Sequence, residues 1–422
     1  MEFQKIKLHR SEKNGAAVTQ ITLDDDYNVP DYRQDIVKVI KERGELRFDE
    51  VKAMEGAAWI KGSLVFKVLY RSDKQEGKIS CLRGEIPFQE RLNMDGLSEY
   101  DAVHATGDME DLTIGVINSR KLNVRAVIVL TASSEKEVDE ELTCELSDGS
   151  SYEQNIVEKE ALKLLVVRRD ICRQKSEAVL PSSKPNIREI LWQSMQLRNV
   201  ESRLVEGKIR LSGEILVSIL YNDEEEGEHL SWYETTVPLD AQAECGVMED
   251  DCIWQVQMVP LTMELEVKPD YDGEERILVM ELALDTHIRI WKEEKIRLLT
   301  DLYSLQKEVK PVFRECPLEH LLVKNAAKCR MTEQMELKED KEKVLQICSC
   351  EGKVLLERQE IKPDGVLAEG TVEVNILYIT PDDHMPVGAV QEIYPFSQLV
   401  EIPEMSAQAK VELDASLEQL SA

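Results

Sequence analysis

The chain has 422 residues, 42% of them hydrophobic, and a net charge of −30, enough apolar side chain for several cores in a strongly acidic whole. That charge argues strongly against nucleic-acid binding, which rests on clustered Lys and Arg, and equally against anionic lipid surfaces. Nine scattered cysteines, no apolar leader after Met1 and no apolar run approaching eighteen residues point to a reducing compartment, cytoplasmic, without membrane insertion.

In chain order, the acidic stretch Asp24-Asp25-Asp26 comes first, followed by Pro30-Asp31 and by Ile36, Val39 and Ile40. Offsets of zero, three and four place the last three on one stripe of a short helix, which the acidic residues would precede. The same offsets return at Ile187, Ile190 and Leu191 after Pro181-Ser182-Ser183, and at Val344, Ile347 and Cys348, where Lys338 stands in place of the Pro.

A strand follows. Leu64, Phe66, Val68 and Tyr70 alternate, with Lys67 on the other face, and period two with one wet face predicts a half-buried antiparallel strand. After Tyr70 a polar loop, Arg71 to Gly77, leads to a second strand through Ile86-Pro87-Phe88, which makes a hairpin. Its Pro belongs at an edge, a bulge or a strand end, since it has no N–H to donate. Leu122, Val124, Ala126, Ile128 and Leu130 then alternate.

This series is repeated. Gly, six residues, then Leu-Tyr occurs at Gly62–Tyr70, Gly213–Tyr221 and Gly370–Tyr378, each Tyr followed seventeen positions later by Pro87, Pro238 or Pro395. The spacing suits one domain per copy: 1–150, 151–305 and 306–422. In copy two the strand is Ile215, Val217, Ile219 and Tyr221, and Asp272-Gly273 marks a turn before Leu278, Met280, Leu282 and Leu284. In copy three it is Val372, Val374, Ile376 and Tyr378. Copy three ends early: Val411, Leu413, Ala415 and Leu417 form a strand whose hairpin partner is missing, so its core is incompletely covered unless another segment supplies that strand. The fold class is therefore mainly β, with three tandem β-sandwich or barrel-like modules, each with a short helix, the third truncated.

No catalytic, cofactor-binding or metal site residue is assigned, and no cofactor. Cys348-Ser349-Cys350 lacks further ligands at workable spacing and reads as packing. His9, His104, His229, His287, His320 and His384 share no repeat position. Neither acidic cluster, Asp24-Asp25-Asp26 or Asp223-Glu224-Glu225-Glu226, has the alternation of a calcium loop, and no glycine loop for phosphates is present. Without a recurring catalytic constellation, the chain reads as a protein that holds others together, not an enzyme. The alternative is a generic carbohydrate- or peptide-binding β-module protein, with Trp232-Tyr233 as its one compact aromatic pair.

The stretch Thr22-Leu23-Asp24-Asp25-Asp26-Tyr27-Asn28-Val29-Pro30-Asp31, with Asp35-Ile36, resembles the opening of clostridial spore-coat-associated proteins built from SPOCS domains. So does Leu180-Pro181-Ser182-Ser183-Lys184-Pro185-Asn186-Ile187 with Ile190-Leu191-Trp192. The Gly-x6-Leu-Tyr and Ile-Pro-Phe elements resemble that domain's core. The resemblance implies a scaffold of the endospore envelope, working in the mother-cell cytoplasm and associating with the developing spore surface. Its implied partners are spore coat morphogenesis proteins, a SpoIVA-like ATPase among them, as for SipL-like proteins. Those commonly carry a LysM module, and none is visible here. The resemblance brings no catalytic residue.

Overall fold

The computed structural model describes residues 2–72, 77–147, 152–224, 229–247, 251–337, 343–403 and 405–422. Among them lie fifteen strands in five three-stranded antiparallel sheets, and no helix. In the first copy β1 (Phe3–Asn28), β6 (Lys121–Leu146) and β5 (Val103–Asn118) form one sheet, with the long β6 in the middle. A second sheet, β2 (Lys38–Met54), β3 (Ala57–Arg71) and β4 (Ile79–Asn93), packs on it. Leu64, Phe66, Val68 and Tyr70 from β3 meet Leu122, Val124, Ala126, Ile128 and Leu130 from β6 in one core. All nine are fully buried. At about 1.5–3 kcal/mol per large apolar side chain buried, this sandwich core dominates the module's stability.

The second copy repeats the plan. β7 (Glu153–Val179), β12 (Glu275–Tyr303) and β11 (Cys252–Pro269) face β8 (Ile187–Val205), β9 (Lys208–Asp223) and β10 (Leu230–Glu244). Leu278, Met280, Leu282 and Leu284 line its core from β12. The third copy has the sheet β13 (Gln346–Lys362), β14 (Gly365–Ile379) and β15 (Val387–Glu401), with no second sheet among the described residues. Residues 308–337 and 405–422 run without joining a ladder, so Val411, Leu413, Ala415 and Leu417 do not form the strand that their alternation predicts.

Two further expectations are corrected. The predicted helix is a bulged strand. Val39 faces Tyr70 and Lys41 faces Leu69, leaving Ile40 as an extra residue; Leu191 and Cys348 are the extra residues at the matching places. A bulge puts two successive side chains on one face. Apolar residues then fall at spacings that mimic a helical stripe, although Val39 and Ile190 enter their own module's core while Ile40, Leu191 and Cys348 point the opposite way. Pro30 and Pro181 open tight turns (Arg33 N to Pro30 O, Lys184 N to Pro181 O, both 2.9 Å) and not helices; Lys338 lies outside the described residues.

The expected wet face of β3 is largely covered: Ser63, Val65 and Leu69 are buried and Lys67 half-buried. What covers it is the rest of the molecule. The edge strand β4 of the first copy meets β8 of the second, β10 meets β13, and β15 meets β2. Each contact joins the same pair of positions, so the three copies close a ring within one chain. Closure of a repeated head-to-tail contact is the geometry of cyclic assemblies, here without separate subunits.

Candidate functional site

Around the ring centre, equivalent residues converge. Leu69, Leu220 and Leu377 (the Leu of each Gly-x6-Leu-Tyr) share one apolar cluster with the bulge residues Ile40, Leu191 and Cys348 and with Ile79, Leu230 and Val387. Each residue of the motif thus has its own task. The Leu enters the shared centre, and the Tyr ring enters its module's core. The Tyr hydroxyl donates to a carbonyl of the incoming loop, Tyr70 to Gln34 O at 3.1 Å and Tyr221 to Pro185 O at 3.2 Å. The Gly faces a second bulge. A Cβ on Gly62, Gly213 or Gly370 would strike the carbonyl of Arg47, Arg198 or Leu355, where the partner strand carries its register shift. Pro87, Pro238 and Pro395 lie on the edge strands β4, β10 and β15, as a residue without an N–H requires.

One ionic group sits beside this centre. The Glu351 carboxylate on β13, its side chain 12% exposed, accepts from Lys41 Nζ at 3.2 Å, Arg43 Nη1 at 3.1 Å and Trp192 Nε1 at 3.4 Å, which ties the three modules together. Burial pushes this carboxyl up, but the charges of Lys41 and Arg43 and the hydrogen bonds from Lys41 and Trp192 together outweigh it and hold it below its usual range. Lys41 also lies 5.4 Å from the Trp192 ring centre.

Sequence reasoning missed an arginine clamp. Arg120 donates to the carbonyls of Val29, Pro30 and Arg33, and Arg276 to those of Leu180, Pro181 and Lys184. The signal was present: each Arg stands two residues before the first inward Leu of the central strand, Leu122 or Leu278.

The residues weighed for chemistry are dispersed. Cys348 and Cys350 are free thiols; burial pushes Cys348 up to about 12 and raises Cys350 as well. His104 and His287 come together, ring centres 5.5 Å apart, beside Arg169, Arg289, Glu135 and Asp285 between the first two copies. Burial first, then Arg169 for His104 and Arg289 for His287, holds both below 6.5. Asp26 pairs with Lys121 and Asp24 with Asn123 on the neighbouring strand. Glu225 and Glu226 lie outside the described residues. Among the described residues no group of three His, Cys, Asp or Glu could hold a metal. Two surface clefts of about 340 and 500 Å³ carry charged linings, such as Arg198, Glu214 and Glu418 in the smaller. Trp232 and Tyr233 point to opposite faces of β10 and pack, Trp232 at the ring centre and Tyr233 in its module's core.

The sheet of the third copy is less covered than those of the other two among the described residues. Val372 and Ile376 are half-buried, whereas their counterparts Leu64, Val68, Ile215 and Ile219 are buried. Tyr394 and Phe396 are half-buried where Ile86, Phe88, Val237 and Leu239 are buried.

The sequence matches the profile of one family, described as SipL, SPOCS domain, over residues 35–117, 186–268 and 343–422. No curated protein sequence and no solved structure matches it. The three matches take in more than half of the chain. The chain belongs to this sporulation-related family.

Proposed function

We propose that this chain, three SPOCS repeats closed into a ring, is a non-enzymatic scaffold of the endospore envelope that acts through protein–protein contacts. The observation that carries the reading is where the repeated residues go. The Gly, Leu, Tyr and Pro of every copy build the ring and its cores, and the Glu351 carboxylate meets Lys41 and Arg43 across a boundary between modules. Chemistry shared by the copies is spent on assembly. The packing of Trp232 and Tyr233 withdraws the aromatic surface on which a carbohydrate-binding reading would rest.

On this reading the protein works in the mother-cell cytoplasm, joins the surface of the developing spore and meets coat morphogenesis proteins, a SpoIVA-like ATPase among them. The test is affinity capture with the tagged chain from sporulating cells, read by mass spectrometry. Recovery of coat morphogenesis proteins above an unrelated acidic control is expected. Their absence, with the chain folded and abundant, would contradict the proposal.

A further inference from the structure

The seam between the first two modules brings two imidazoles together. His104 stands on β5 of the first module and His287 on β12 of the second, ring centres 5.5 Å apart. Arg169 on β7 reaches across the seam to His104 Nδ1. A guanidinium only donates, so Nδ1 accepts, and the ring bound to Arg169 is neutral. Asp285 fixes the direction of the donor, taking Arg169 Nε at 2.8 Å on Oδ1 and 2.9 Å on Oδ2. A proton on Nδ1 turns the acceptor into a second donor facing Arg169, and that link between the modules is lost.

The surroundings keep that proton away. Glu135 faces the pair from β6, Arg169 from β7, and Asp285 and Arg289 from β12; Glu412, in segment 405–422, reaches it through Arg289. Glu135 and Asp285 favour charged imidazoles, but each is engaged by an arginine, Asp285 by Arg169 and Glu135 by Arg289 at 3.3 Å. Burial and the two arginines prevail, and both rings are held below 6.5. The first two copies do not repeat this arrangement. At the same distance before the bulge in β11, the counterpart of His104 is Gln255, and the counterpart of His287 on β6 is Thr131. Neither side chain takes up a proton in this range, so the titrating pair belongs to this one seam.

We infer that His104 and His287 form an acid-operated latch: neutral, they hold the first two modules together, and protonated, they release the seam. The strands that meet there are β1 and β6 against β7 and β12, with Leu8 and Leu142 packed on Ala161 and Ile296 further along. Release bares these apolar side chains while each module keeps its own sandwich core. In an open seam the rings are solvated and take up protons near the ordinary value of about 6.5, whereas the closed seam resists them. Each imidazole therefore multiplies the opening equilibrium by at most about tenfold for every pH unit below 6.5. The latch acts on the ring itself and is independent of which partner the ring binds.

The test is amide hydrogen exchange of the full chain at pH 7.5 and 5.5, corrected for the intrinsic effect of pH on exchange. At pH 5.5 the Glu351 carboxylate, held below 4.5, is still charged, so the ring centre serves as an internal reference. Residues 103–109, 166–172 and 284–290 should exchange at least about threefold faster at pH 5.5, while β14 and β15 keep their rates, and a return to pH 7.5 should restore the slow exchange. His104→Asn with His287→Asn should abolish the difference. His104→Asn alone, whose side-chain oxygen still accepts from Arg169, should reduce it. No acceleration at the seam, equal acceleration in every strand, or a full response in the double variant overturns the proposal.

Discussion

Glu351 is the residue on which the ring's polar chemistry turns. Its removal leaves Lys41, 6% exposed at the side chain, without its carboxylate. Glu351→Ala is expected to destabilise the chain by about 3–5 kcal/mol, the cost of stranding buried charge, while joint Lys41→Met and Glu351→Leu should restore much of the loss. Chemical denaturation of the three proteins checks this, and a double variant no more stable than the single would contradict it. The carboxyl sits below 4.5 in the fold, so its contribution is present above 4.5 and is lost as pH falls through the lower folded value.

The His104–His287 pair acts in a higher window. Both rings are held below 6.5, so the unfolded chain takes up protons first as pH falls. Stability therefore declines as pH drops below about 6.5 and levels off beneath the folded values. Denaturation midpoints between pH 7 and 5 should fall for the native chain and fall less for His104→Asn with His287→Asn. A native midpoint that stays flat through that range would remove the pair's assigned environment.

At the scale of elements, alternation was a sound guide and bulges were not. The strands through Leu64–Tyr70 and Leu122–Leu130 were legible because their inward residues recur at period two. The Pro of each second strand was legible as an edge residue, because a missing N–H leaves few places in a sheet. The stretches around Ile40, Leu191 and Cys348 were misread, since one inserted residue shifts the alternation and imitates a helical offset. The motif glycine follows from the second bulge: the facing carbonyl leaves no space for a Cβ. Gly213→Ala is expected to cost about 1–3 kcal/mol through overpacking, whereas Gly115→Ala, with open space around it, costs far less. Equal midpoints for the two variants would refute that account. Removal of the arginine clamp by Arg276→Ala should cost about 1.5–3 kcal/mol, the scale of hydrogen bonds from a charged donor, and should raise amide exchange in residues 180–187 first.

For the whole molecule, the repeat period announced three modules but not their mutual arrangement. Leu69, Leu220 and Leu377 look like ordinary strand residues in sequence, and nothing local marks them as meeting one another across more than 300 positions. The same closure explains why the second face of β3 is not wet. It also explains why candidate chemistry was sparse: paired groups such as Glu351 with Lys41, or His104 with His287, exist only once modules meet.

Ring closure is the claim on which the rest depends, and Leu220→Ala tests it most directly. Truncation of a buried Leu costs about 2–5 kcal/mol where it is felt. Amide hydrogen exchange, resolved by module, shows where that is. A shared centre predicts faster exchange in β3 and β14 as well as β9. Acceleration confined to residues 187–244, with β3 and β14 unchanged, would mean three separate beads and would contradict the closed ring.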